Sequence, residues 1–207
     1  MSQSTPMPVS LVERKRRLVQ QRIVKAADEL FYAHGFDNVS VSDIAARADV
    51  GRTTFFRYFG DKPEVVFAKE QEMLDAIAGS VEQGSAGIPR TASEAVEQLC
   101  PIVLGLCEQA TADPEGYAHH SQLLEQHLEL RARDALKMQQ IADKLSEVLT
   151  GRGTDETIAE FAAQVALACY QAARRRAQSP RALTDETRAA FAQALALGIR
   201  TREPVRP

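Results

Sequence analysis

The sequence predicts an all-α protein with a small N-terminal three-helix module ahead of a larger helical C-terminal domain. Apolar residues recur at helical spacing along most of the chain, and capping residues open several of these stretches. No stretch alternates apolar and polar residues as a half-buried strand would. With 207 residues the chain can bury one large core, or a module and a larger domain. A boundary after Asp61 is expected, dividing it into 1–61 and 62–207.

The elements follow in order. Ser10 and Glu13 have capping-box spacing, and the helix they open should run to His34, where Gly35 is a natural stop. Its apolar stripe is Ile23, Ala27, Leu30 and Phe31, and Arg14, Lys15, Arg16 and Arg17 make a basic arm of residues 1–17. Next comes Val39 to Lys62, "VSVSDIAARADVGRTTFFRYFGDK", which reads as two short helices joined by a tight turn. Asp61 caps a fourth helix with Pro63 in its first turn, expected to reach about Ala78 and end at Gly79. Residues 84–90, "GSAGIPR", form a connector.

Thr91 with Glu94 caps another helix, in which Pro101 predicts a kink or an offset. After "ADPEG" a short and a longer helix are expected, with a bend near His127 to Leu130 and "TGRG" as the stop. Thr154 and Thr184 then open two last helices, separated by "AQSPRA". This final pair, near 155–178 and 184–200, is alanine-rich. It suits either the interior of a bundle or a dimer interface made by Phe161, Val165, Ala168 and Leu195.

Charge is uneven. Residues 1–69 hold 11 Lys and Arg against 8 Asp and Glu, whereas residues 70–207 hold 14 against 20. A basic first third joined to an acidic remainder suggests that one part meets a polyanion. The start, "MSQSTPMPVS", lacks the apolar core of a secretory signal, and no run reaches the roughly 18 apolar residues of a membrane span. A cytoplasmic protein with no membrane partner is expected. Cys100, Cys107 and Cys169 lack metal-ligand spacing and fit a reducing compartment. They read most simply as small buried side chains, with a thiol sensor at Cys100 and Cys107 as the alternative. His119, His120 and His127 read as surface or pocket residues, because no carboxylate stands in phase to complete a metal site. No nucleophile elbow, phosphate loop or paired catalytic carboxylate occurs, so neither enzyme activity nor a cofactor is expected.

The segment after Val39 carries the functional signal. At 100° per residue Phe55 and Phe59 share one face and would pack on Ile44, Ala45 and Ala48 of the preceding helix. Thr53 and Arg57 then point the other way, flanked by Thr54 and Phe56, with Arg52 at the helix start. A helix so presented fits a DNA major groove, where arginine can bind guanine bidentately and threonine can meet a base edge or thymine methyl.

The string "DIAARADVGRTTFFRYFGDK" resembles the signature of the TetR family of regulators. Ile44-Ala45, Val50, Thr54-Phe55-Phe56, Tyr58-Phe59 and Lys62 carry the resemblance, which with the first helix covers about a quarter of the chain. It implies that Ser40 caps the first helix of the pair and approaches a phosphate. Ser42, Arg52, Thr53 and Arg57 would face bases, Thr54 and Tyr58 would hold the DNA backbone, and Lys62 would bind a phosphate. Two positions depart from the pattern: Asp49 replaces the usual turn glycine, and Phe56 stands where tyrosine is usual, losing a hydroxyl.

For the C-terminal domain the resemblance implies a small-molecule pocket. The candidate lining residues Phe67, Leu74, Leu99, Leu106, Leu123 and Leu124 otherwise read as core. The expectation is a homodimeric repressor that binds a palindromic double-stranded DNA operator and is released by a small-molecule effector, the apolar C-terminal helices being compatible with a hydrophobic one. The rivals are a ligand-independent dimeric DNA-binding protein and a helical small-molecule binder or enzyme using the His119, His120 and His127 region.

Overall fold

The computed structural model describes residues 11–69, 73, 74, 77 and 87–199. The Ser10 and Glu13 capping pair, the expected helix end at Ala78 and Gly79, and most of the 84–90 connector lie outside the described residues. Every regular element among the described residues is helical. The chain divides into two compact units, Met1–Ala68 and Lys69–Pro207.

In the first unit α1 (Leu11–His34) supplies the long wall. Its stripe is buried at Ile23, Ala26, Ala27 and Phe31, while Leu30 is only half-buried. Gly35 ends it at φ +78°, and the Asn38 amide donates to the His34 carbonyl at 2.9 Å. Helices α2 (Val41–Arg47) and α3 (Arg52–Tyr58) form the paired segment, and α4 (Lys62–Val66) packs back on α1. The Asp61 carboxylate caps α4 by accepting from Glu64 N–H at 2.8 Å, with Pro63 buried in the first turn.

The fourth helix departs from expectation. It does not run on unbroken from Asp61 but stops at Val66, where Phe67 takes φ −100°, ψ 19°; helical backbone resumes at Ala68. Because Pro63, Val65 and Phe67 bury their side chains, α4 belongs to the first unit, and the division falls after Ala68 rather than after Asp61.

The second unit contains α5 (Ala92–Ala110), α6 (Pro114–Gln126), α7 (Leu128–Gly151), α8 (Glu156–Arg176) and α9 (Leu183–Ile199). Helix α8 is the centre: α5, α7 and α9 all pack on it. Its buried face is built from Ala159, Ala162, Ala163, Ala166, Cys169 and Ala173, whose small side chains permit that close approach. Leu99, Leu145, Leu149 and Phe191 fill the space around it. The bend expected near His127 is present, since His127 is extended between α6 and α7.

Helix α5 continues through Pro101; Pro101 and Glu97, whose carbonyl loses its helical donor, both lie on the exposed side, where water can serve. Two helix starts are revised. Helix α8 is capped by Asp155, not Thr154: the Asp155 carboxylate accepts from Thr157 and Ile158 N–H at 3.0 and 3.4 Å. Helix α9 begins at Leu183, after a 3-10 turn over Pro180–Ala182, so Thr184 lies in its first turn.

Candidate nucleic-acid interface and C-terminal cavities

The geometry of the interface starts at Ser40. Its hydroxyl accepts from Asp43 N–H at 3.2 Å, and the Asp43 carboxylate accepts from Ser40 N–H at 2.8 Å, a reciprocal capping box. Donation from the Ser40 hydroxyl, at 2.6 Å, and from its N–H holds the Asp43 carboxyl below its ordinary range. Val39 and Ile44, at the flanking staple positions, are both buried. The N-terminus of α2 is thereby fixed, with Ser40 and Ser42 exposed.

The turn to α3 requires a left-handed residue, and Asp49 supplies it at φ +52°. Arg22 of α1 steadies the turn by donating to the Asp49 carbonyl at 2.9 Å. This contact was illegible in the sequence because it joins residues 27 apart. A second tie, from Arg47 Nε to Glu29 at 2.9 Å, is a surface pair of the kind that contributes little to stability.

Phe55 and Phe59 are buried, with ring centroids 5.9 Å apart, as are Ile44, Ala45 and Ala48. With one face of α3 so pinned, Arg52, Thr53, Phe56 and Arg57 are exposed, and Thr54 and Tyr58 are half-buried. Phe56 stands edge-on to Phe55 at 5.6 Å and keeps 46% of its surface exposed. The Arg57 guanidinium lies 5.5 Å from the Tyr58 ring centroid.

Lys62 has a structural task beyond the role its position implied. Its ammonium donates to the Phe36 carbonyl at 2.9 Å and sits 4.0 Å from the centre of the Phe36 ring, tying α4 to the end of α1. An ammonium carries three donors, so this contact leaves others for a phosphate.

The candidate pocket residues have different surroundings. Leu99 and Leu123 are buried, Leu74 is half-buried against the core, and Phe67 lies in the first unit. Leu106 borders an apolar cavity of about 20 Å3 with Val103, Ile141 and Leu145. Leu124 borders an open cleft of about 840 Å3 between α6, α7 and the end of α8. A further cavity of about 40 Å3 is lined by Lys69, Tyr117, His120, Asp134, Tyr170 and Arg174, among others.

That polar lining was not found in the sequence. Arg174 Nη1 reaches both Asp134 oxygens, at 3.0 and 3.3 Å, across 40 residues of chain. The Arg174 guanidinium also lies 5.7 Å from the Tyr170 ring centroid. Burial raises the phenols of Tyr117 and Tyr170 above their ordinary range, so both remain neutral hydrogen-bond donors.

Of the candidate interface residues, Phe161 is 59% exposed and Ala168 is exposed, whereas Val165 and Leu195 are half-buried against the core. Helix α8 thus serves the core with its alanine face and leaves a second, partly apolar face outside it. Burial raises all three cysteine thiols; Cys107 and Cys169 are buried and Cys100 is half-buried. His120 borders the polar cavity and His127 joins α6 to α7. Among the described residues, no helix is long and apolar enough to cross a membrane.

Comparison with known proteins agrees with this geometry. The sequence model described as bacterial regulatory proteins, tetR family, matches residues 23–68, the span from mid-α1 through α4. The HTH-type transcriptional regulator TcmR of Streptomyces glaucescens is 25% identical over 174 residues, covering 83% of this chain and 76% of that protein. The HTH-type transcriptional repressor AcnR of Corynebacterium efficiens is 28% identical over 137 residues, covering 63% and 73%. Among solved structures, Thermus thermophilus FadR, a TetR-family transcriptional repressor in complex with lauroyl-CoA, superposes with a TM-score of 0.56. It is 26% identical, and the match covers 91% of this chain and 98% of that one. Both relatives are regulators of transcription. Residues 23–68 therefore form a TetR-family helix-turn-helix head, and the chain resembles transcriptional regulators of that family over most of its length.

Proposed function

We propose that the protein is a ligand-responsive repressor that binds a palindromic operator as a homodimer in the cytoplasm. The observation that carries this reading is the presentation of α3. Phe55 and Phe59 fix one face in the core while Arg52, Thr53 and Arg57 stand exposed on the other. Arg57 and Thr53 read base edges in the major groove, with Arg52 and Ser42 beside them. Ser40, Thr54, Tyr58 and the remaining donors of Lys62 hold phosphates and set the register. Phe56, lacking a hydroxyl, meets a thymine methyl instead.

Two heads in successive major grooves require a twofold dimer. The exposed Phe161 and Ala168 of α8, with Val165 and Leu195 beside them, supply its candidate surface. Effector binding in the second unit favours a conformer whose heads no longer match the operator spacing, in proportion to the ligand's preference between conformers. The lauroyl-CoA bound by the similar FadR structure supports an effector with a long apolar part.

Fluorescence anisotropy on DNA from beside the protein's own coding sequence tests the reading. Saturable, salt-sensitive binding with a stoichiometry of two chains per site is expected. Binding that shows no preference over random duplex would overturn it.

A further inference from the structure

Three spaces in the second unit adjoin one another. The open cleft of about 840 Å3 and the polar cavity of about 40 Å3 share Tyr117, Ser121, Asp134, Met138 and Arg174. The polar cavity and the apolar one of about 20 Å3 share Met73, Met138 and Tyr170. Met138 therefore borders all three, and the Asp134–Arg174 pair borders the outer two. The walls change character inward, from charged side chains at the cleft to Leu106, Ile141 and Leu145 at the inner end.

Both inner cavities are far below the few hundred Å3 that usually hold an organic ligand. Met73, Met138 and Tyr170 stand between them, and the two methionines, unbranched side chains with three rotatable bonds, yield space more readily than a branched or aromatic one. Charge selects the ligand's head. The cleft and polar cavity are lined by Lys69, Arg131, Arg174 and Arg175 against Glu125 and Asp134, a cationic excess that Asp113, 3.6 Å from Lys69, only partly offsets. Both contacts of Arg174 with Asp134 use Nη1, leaving the rest of the guanidinium fork to a second acceptor.

We propose that the three spaces form one effector path that takes an amphipathic carboxylate. The ligand enters through the cleft and leaves its anionic head at Arg174, with Tyr170 and Tyr117 as neighbouring donors. Its apolar part displaces Met138 and Met73 and extends toward Leu106, Ile141 and Leu145. The inference rests on the ligand-responsive reading given above and adds the site, the route and the charge of the head.

The test titrates the full chain with octanoate, decanoate and dodecanoate below their micellar concentrations, following thermal unfolding by circular dichroism. Decanol and decyltrimethylammonium, with the same chain as decanoate, change only the head. A saturable rise in Tm is expected with the carboxylates, a smaller rise with decanol and none with the cation. Tyr170→Phe, which deletes a single oxygen, is expected to weaken decanoate about three- to tenfold. Met138→Ile, stiff at its branched Cβ, is expected to weaken it as well. The proposal is overturned if no carboxylate raises Tm, if all three head charges act alike, or if Tyr170→Phe leaves decanoate affinity unchanged. Operator binding by the ligand-free protein is measured alongside. A chain that binds operator but no carboxylate overturns this inference alone, whereas one that takes decanoate but no operator overturns the repressor reading and leaves the site standing.

Discussion

Phe55 and Phe56 are adjacent, chemically identical and in opposite environments, so truncating each to alanine separates the head's framework from its surface. Phe55 is fully buried and touches both neighbouring rings, Phe56 edge-on at 5.6 Å and Phe59 at 5.9 Å. Phe55→Ala leaves a cavity that the pinned helices cannot close and should cost about 3–5 kcal/mol. The first unit is small, and at the usual stability per residue it has on the order of 3–9 kcal/mol in total. Most of that would go, and the head would unfold while the alanine-cored second unit kept its helices. Phe56 has 46% of its surface in water, so Phe56→Ala removes little more than half of a phenyl burial, about 1 kcal/mol. Urea denaturation followed by circular dichroism reads both, with operator anisotropy on the same samples. Phe55→Ala should show an early transition and no operator binding. Phe56→Ala should unfold nearly as the parent does and bind more weakly. Equal costs for the two, or less than about 1 kcal/mol for Phe55→Ala, would refute the packing argument for α3.

Other expectations follow from single contacts. Arg57→Ala should cost about 1–3 kcal/mol per half-site and relax preference at one base pair, as read by anisotropy on a panel of operator variants. Lys62→Met should weaken all duplexes alike and flatten the salt dependence. Because it also breaks the tie to Phe36, it should lower the head's stability by about 1–2 kcal/mol in urea. Asp113 caps α6 by accepting from Gly116 N–H at 3.0 Å, and that bond, with Lys69 nearby, holds its carboxyl below its ordinary value near 3.8. A depressed folded-state value means stability that is present above the ordinary value and lost as pH falls through the folded one. Asp113→Asn should therefore keep the cap yet flatten the fall in stability below about pH 4, measured by urea midpoints across acid pH.

What was legible in the sequence was local. The stop at Gly35, the left-handed Asp49 and the caps at Asp61 and Thr91 each depend on a few consecutive residues. Helical phase alone was enough to sort Phe55 and Phe59 from Thr53 and Arg57. Where two good caps adjoin, as at Thr154 and Asp155, propensity does not choose between them; the charged Asp155 prevails at the positive end of α8. The break at Phe67 was missed because periodicity continues through it, and nothing in the local sequence opposes a helix there. The polar cavity was hidden for another reason. Asp134, Tyr170 and Arg174 converge only once α7 and α8 are set at their packing angle, so their sequence neighbours carry no trace of the site. The same limit applied to the alanines of α8: the sequence offered core or interface, and burial alone places Ala159, Ala162, Ala163 and Ala166 in the core while Phe161 and Ala168 stay exposed.

The central claim is that a pair of α3 helices reads DNA with twofold symmetry. Selection from a random duplex library with the full-length protein, followed by sequencing of the bound fraction, tests it most directly. Enrichment of an inverted repeat whose half-sites lie about one helical turn apart is the expected result, with the preference at one position of each half lost in Arg57→Ala. Recovery of no motif, of a single unrepeated half-site, or of the same motif by Arg57→Ala would contradict it.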